Sequence, residues 1–355
     1  MVKNQEKLAE ISVQTSISLL HALKKMDETG RKLLLVFDDN TFTGLLSIGD
    51  IQRAIINNKP LNTPLTNVLR PNIRVASSRQ PFSEIKSTMQ RFRTECMPVL
   101  NENRELIDVY FWEDVFPDEN DRIKRNLGLP VVIMAGGKGT RLKPITNVLP
   151  KPLIPVGEKT ILENIMDRFL ALGCSNFFLS VNYKAEMIKH YFDNLNSSDY
   201  GIQYITEEKP LGTAGSLYLL KGKLDSTFFV SNCDIIIDED YGEIYDYHIN
   251  NGNDLTIVAA LRHFQIPYGT LETSENGLLE RLEEKPEITF KINSGLYILE
   301  AHILDEIPEN EHLDITELIQ KIKNRKGKIG VFPVSEKSWT DIGTWDQFLS
   351  FKQVR

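Results

Sequence analysis

Residues Val131 to Gly157 read VVIMAGGKGTRLKPITNVLPKPLIPVG, and this stretch decides the fold. Its first five residues, Val131 to Ala135, form an apolar run of the length of one buried strand. The run breaks into Gly136-Gly137-Lys138-Gly139, a turn whose tightness calls for glycine. Thr140, Arg141 and Lys143 follow, and Lys151 stands between Pro150 and Pro152. From Arg122 to Gly157 there is no Asp or Glu but there are seven Lys or Arg, in a chain of formal net charge −8. A glycine turn after a strand presents N–H groups that suit phosphate oxygens. Cations beside it would hold a polyanion and offset charge building on a phosphorus under attack. A dinucleotide-binding turn would need a third glycine opening a helix and an acid about 20 residues on. Pro144 opposes a long helix from this turn. A P-loop would need Gly-Lys-Ser/Thr, which does not close this one.

The pattern Gly-Gly-x-Gly-Thr-Arg-Leu-x-Pro-x-Thr, followed by Pro-Lys-Pro-Leu, resembles the signature of the sugar-1-phosphate nucleotidyltransferases, the nucleotide-sugar pyrophosphorylases. The resemblance implies an α/β fold, a three-layer Rossmann-like domain with a mixed, mainly parallel sheet. It also implies a reaction: transfer of a nucleotidyl group from an NTP to a sugar 1-phosphate, with loss of pyrophosphate. On it, Ala135, Gly136, Gly137, Gly139 and Thr140 would cradle the nucleotide. Arg141 would hold the triphosphate, and Lys151 the phosphates around the reacting centre.

Alternating elements downstream predict a parallel sheet with helices on both faces. Thr160 to Gly173 reads as a helix, with Thr160 and Glu163 as a capping box and Gly173 as its stop. Phe177 to Val181 reads as a strand. Leu211-Gly212-Thr213-Ala214-Gly215 follows another strand, and its small residues would let backbone approach a flat ring. The resemblance assigns this loop, including Gly212 and Thr213, to the base and the α-phosphate. Glu207 or Glu208 could accept protons from N1–H and N2–H of guanine. Phe228 to Asp234 reads as a buried strand ending in a lone carboxylate, a placement that suits a site better than packing. The family binds Mg²⁺ with an aspartate here, and the resemblance assigns the second metal carboxylate to Asp341, which precedes Gly343. Hard cations take oxygen ligands of this kind. Glu284, Lys285, Asn293 and Gly295 match the family's sugar-phosphate-binding stretches. Glu311 to Arg325 reads as a surface helix.

Residues 1 to 117 carry an internal repeat with a period of about 63 residues. Each copy, about 1–66 and 67–117, reads helix, strand, strand, helix, with Met26 and Met89 closing the first helix. Asp50 and Asp114 could cap the last helix. The module resembles a tandem pair of CBS domains, in which Leu45 to Asp50 matches the ribose-contacting stretch. Ser47 and Asp50 would then contact an adenine nucleotide that regulates the attached domain. In the second copy aromatics replace the Ser and Gly. Residues 118–129 read as a linker, leaving 130–355 as the catalytic domain.

Composition bounds the rest. A chain of 355 residues suggests about two domains. Its acidity gives no general affinity for nucleic acid or an anionic membrane. No signal-peptide core or membrane-length apolar run is present, and three scattered cysteines suggest neither a disulfide framework nor a zinc site. The expected protein is cytoplasmic and homo-oligomeric. GTP with glucosamine 1-phosphate or a mannose-type phosphate is the expected substrate pair, from the resemblance to guanylyltransferases carrying a CBS pair. The alternatives are a uridylyl- or thymidylyltransferase, or a catalytically silent nucleotide-sensing subunit.

Overall fold

The computed structural model describes residues 5–92, 94–116, 125–195, 197–345 and 347–349. Of the expected linker, residues 118–124 lie outside the described residues, as do residues 350–355 of the expected catalytic domain. The chain divides into two compact units, Met1–Ile123 and Lys124–Arg355.

The first unit holds two three-stranded sheets of the same design. Ser12–Gln14 pairs parallel with Leu33–Asp38, which pairs antiparallel with Thr41–Ser47. Ala76–Ser77, Cys96–Leu100 and Leu106–Phe111 repeat that order and those directions. A bulge falls between Val36 and Phe37 in one copy and between Val99 and Leu100 in the other, 63 residues later. Helix Leu19–Thr29 buries Leu19, Ala22, Leu23 and Met26, the spacing of one helical face, and stops at Gly30 with φ 65°. The last helix of the first copy, Ile48–Ile56, is capped by Ser47 rather than by Asp50. Asp50 sits one turn in and completes the box by accepting from the Ser47 N–H at 2.9 Å. In the second copy Phe111 takes the cap position of Trp112–Val115 and makes no side-chain cap bond. Its ring has no acceptor to offer, and Asp114 lies inside the helix instead.

The second unit is built on one seven-stranded sheet. Its strands in chain order are β1 (Val131–Met134), β2 (Asn176–Val181), β3 (Gly201–Thr206), β4 (Phe228–Asn232), β5 (Leu255–Gln265), β6 (Glu287–Leu299) and β7 (Ile329–Val334). They lie in the order 3-2-1-4-6-5-7, and β6 alone runs against the others. Successive residues of a strand face opposite sides. Phe177 and Phe229 therefore meet, edge-on or tilted, the ring of Phe169 of helix Ile161–Leu170, which in turn meets Tyr241 of helix Tyr241–Asn251, on one face. Val132, Phe178 and Val230 face the other way, onto Leu318 and Ile322 of helix Ile315–Asn324. Helix Ile161–Leu170 has the expected capping box of Thr160 and Glu163 and ends before Gly173.

One buried histidine braces this core. His248 is fully buried between the Thr256 hydroxyl at 2.8 Å and a Glu300 oxygen at 3.0 Å. Burial pushes its pKa below the ordinary 6.5, outweighing the opposite pull of Glu300. As pH falls the unfolded chain protonates this side chain first, so this contribution is intact above pH 6.5 and shrinks below it. Urea midpoints measured from pH 7.5 down to 5.5 should fall, and His248→Gln should flatten that slope.

Candidate active site

The glycine loop and the segment after it are held through their backbone carbonyls by side chains. Gly139 adopts φ 60°, and a Cβ there would lie 2.9 Å from Thr146 Cγ2 and 3.0 Å from Lys151 Cβ. Only glycine lets the loop fold back onto Lys151. The Thr146 hydroxyl donates to the Gly139 carbonyl at 3.0 Å. Lys184 donates to the carbonyls of Asn147 at 2.6 Å and Val148 at 2.7 Å, and Tyr183 donates to that of Thr146 at 3.2 Å. Trp345 donates to the Lys143 carbonyl at 2.9 Å. These clamps carry no motif, and sequence reading missed them. Gly137 has nothing within 4 Å of an added Cβ, so the loop's outer wall is open.

Asp234 follows the carboxyl end of β4. The next residues, Ile235–Ile237, pair antiparallel with Trp339–Asp341, setting Ile235 opposite Asp341. The Ile342 N–H donates to the Asp234 carbonyl at 2.8 Å. This short ladder brings the two distant aspartates together. Arg141 reaches both: one guanidinium nitrogen lies 3.4 Å from Asp234 and another 3.4 Å from Asp341. Lys151 makes a direct ion pair with Asp234. The Lys151 side chain is 7% exposed and the Asp234 side chain 13%, whereas that of Arg141 is 58% exposed. Gly343, which the sequence marks as a point of close approach after Asp341, is one: a Cβ there would come within 2.8 Å of Arg141 and 2.9 Å of Lys151.

The sheet order explains the location. The chain leaves β1 toward β2 on one side, and β4 lies on the other, so the loops after β1 and β4 flank a topological switch. In open α/β sheets ligands bind outside the carboxyl ends of strands at such points. Two carboxylates with oxygen donors only, beside an open glycine loop, suit a hard divalent cation. The adjacent Cys233 does not alter that set, since burial, helped by the charge of Asp234, pushes its thiol up to about 12.

The other expected residues divide. Gly295 joins the cluster: with φ 89°, its added Cβ would meet the Asn232 amide at 2.6 Å. Asn293 accepts from the Gly295 N–H at 3.2 Å, and Trp339 donates to the Ser294 carbonyl at 3.0 Å. Glu284 and Lys285 lie exposed at the base of a ribbon between β5 and β6. Glu207 is buried beneath the glycine loop, 2.9 Å from a Cβ on Gly136, and accepts from the Ser180 hydroxyl at 2.6 Å and the Leu211 N–H at 3.1 Å. The small residues around Gly212 admit a backbone: a Cβ there would lie 2.7 Å from the Leu313 carbonyl. Thr213 bonds Asp314 through both its N–H and its hydroxyl. In the first unit, Asp50 is 3% exposed and holds Ser47, Arg53 and Arg70.

The family model for nucleotidyl transferases matches residues 130–354. The chain belongs to the nucleotidyl transferase family. A CBS domain model matches residues 9–57, within the first copy of the repeat. This nucleotidyl transferase is 30% identical over 224 residues to mannose-1-phosphate guanylyltransferase of Mycobacterium tuberculosis, covering 61% of this chain and 62% of the relative. It is 35% identical over 228 residues to mannose-1-phosphate guanyltransferase of Candida albicans, covering 62% of each. The chain thus spans less than two thirds of the length of these curated relatives. Among solved structures it is similar to HddC from Yersinia pseudotuberculosis complexed with GMP-PN. The TM-score is 0.51 at 27% identity, covering 64% of this chain and 99% of the other. No helix among the described residues is long and apolar enough to cross a membrane.

Proposed function

We propose that this protein transfers a guanylyl group from GTP to a hexose 1-phosphate, releasing pyrophosphate. The observation that carries this reading is Arg141 spanning Asp234 and Asp341 while Lys151 pairs with Asp234. The substrate phosphate oxygen attacks the α-phosphorus of GTP. A P–O bond forms there, and the bond to the bridging β-phosphate oxygen breaks. The nucleophile belongs to the substrate, so the protein needs no activated Ser or Cys; its work is positioning and charge stabilisation. Arg141, the more exposed cation, binds the triphosphate and the departing pyrophosphate. Lys151, almost buried, holds the phosphates at the reacting centre. Open N–H groups of Gly136 and Gly137 cradle the nucleotide, and Asn293 with Gly295 faces the sugar. Asp234 and Asp341 would hold Mg²⁺, which when bound supplies further neutralisation of phosphate charge.

The choice of guanine and of a mannose-type sugar rests on the names of the relatives. Glucosamine 1-phosphate stays in the panel as the sugar expected from the sequence. The decisive assay is pyrophosphate release across four NTPs, with mannose, glucosamine and glucose 1-phosphates, with Mg²⁺ and with chelator. Preference for UTP or dTTP would overturn the base assignment, and no release with any pair would leave the silent-subunit reading.

For the first unit we infer adenine-nucleotide sensing through the second copy. Asp50 is engaged by two arginines, whereas a cavity of about 350 Å³ opens beside Ile73, Val75, Thr88 and Met97. Arg74 lies over the Phe92 ring at its edge, 4.1 Å from the centroid. Three buried free cysteines accord with a reducing, cytoplasmic setting.

A further inference from the structure

β1 and β2 are parallel neighbours, with Ser180 opposite Met134, so the loops leaving their carboxyl ends lie side by side. The residues that follow β2 use this. The Tyr183 N–H donates to the Gly136 carbonyl at 3.3 Å, inside the glycine loop. The Asn182 amide donates to the Glu207 carbonyl at 2.8 Å, just past β3. Tyr183 and Lys184 then take three successive carbonyls, those of Thr146, Asn147 and Val148. These belong to the end of the short helical turn Ile145–Asn147. Carbonyls at such an end lack partners within the turn, and a cation satisfies them well.

Two features single out Lys184. It adopts φ 53°, a left-handed conformation that is strained for a residue with a Cβ and easy for glycine. A strained position that carries a long side chain points to a use for that side chain. The segment it grips also has little packing of its own. Thr146 is buried, but Asn147 and Val148 are exposed, Val148 to 70%. Side-chain bonds rather than apolar burial therefore fix this stretch. It runs straight on to Lys151, and a Cβ on Gly139 would meet both Thr146 and Lys151.

We infer that Lys184 is a positioning residue for Lys151. By holding the Asn147 and Val148 carbonyls it fixes the segment that delivers the Lys151 ammonium to Asp234. Two of the three Lys184 donors are occupied by carbonyls, and the ammonium lies 5.4 Å from the centre of the Tyr183 ring. Its charge is thus directed at the loop and not at a substrate. Its kinetic consequences rest on the function proposed above. They are smaller than those of removing Lys151, because that side chain is displaced and not lost; a 1 Å misplacement costs up to ~100-fold.

The test is pyrophosphate release by the full chain carrying Lys184→Met, Lys184→Gly or Lys184→Arg. The first two should lose about tenfold in kcat, with the KM of each substrate within about twofold. Arginine, which can donate to both carbonyls, should recover most of the rate. The thermal midpoint of Lys184→Gly should hold or rise, since glycine accepts φ 53° without strain. In a Lys151→Ala background Lys184→Met should cost less than about twofold, because it acts through a group already removed. Unchanged kcat in the methionine and glycine variants overturns the proposal. So does a loss that multiplies fully with Lys151→Ala, one confined to KM, or one that tracks a lowered thermal midpoint. If the unaltered protein releases no pyrophosphate from any substrate pair, the proposed function fails and hydrogen exchange decides the clamp by itself. The amides of Asn147, Val148 and Leu149 should exchange at least ~5-fold faster in Lys184→Met, and unaltered exchange refutes it.

Discussion

Lys151→Ala is expected to lower kcat at least ~100-fold, the scale of losing one preorganised charge from a water-poor site, or about 2.7 kcal/mol. The reason is burial. An exposed lysine is replaced in part by water and salt, and its loss is mild. The Lys151 side chain is 7% exposed and pairs directly with Asp234. Its removal leaves two half-enclosed carboxylates facing the exposed Arg141 and incoming phosphates. Pyrophosphate release at saturating substrate measures the effect. A loss confined to KM would make Lys151 a ground-state anchor, and a near-normal rate would remove it from the chemistry. Circular dichroism must show the fold intact, because Lys151 also packs under Gly139.

The second large effect concerns Asp234 and Asp341 as a unit. Asp234→Asn and Asp341→Asn should each cost roughly 100-fold, since each removes a charged oxygen from one shared centre. If the residues acted separately, the double variant would lose about 10,000-fold. Because both meet the same guanidinium at 3.4 Å, the double should fall only to about 1,000-fold, the non-additivity of groups working together. Fully multiplicative losses would dissolve the unit. The Mg²⁺ concentration for half-maximal rate should shift upward in both single variants, which a merely structural ion-pair role would not produce.

Much of this site was legible in the chain. The apolar run before Gly136, the cations after it and the carboxylate at Asp234 are local signals, whereas Asp341 was assigned through the family resemblance. A glycine turn after a strand, and an acid at a strand's end, carry their meaning within a few residues. The same holds for the repeat, whose 63-residue spacing reappears in the position of both bulges. Less legible was what each small residue is small for. Gly212 reads the same whether a base or a backbone approaches it, and the approach is made by Leu313 from far along the chain. Glu207 reads as a loop carboxylate, yet lies buried with Ser180 and Leu211 as partners. Asp50 reads as a helix cap or a ribose ligand, and Arg70 reaches it from outside its motif.

The family resemblance picked out the four charged side chains, and the sequence by itself determined the alternation of strands and helices and the cation-rich glycine turn. Those follow from short-range sterics and hydrophobic periodicity, which neighbouring residues settle among themselves. Only the tertiary structure decided that Arg141 meets both aspartates and that Thr146 and Lys184 hold the loop. Contacts such as those of Arg141 with Asp234 and Asp341, 93 and 200 positions further on, depend on strand order and register, and no local pattern encodes which strand lies beside which.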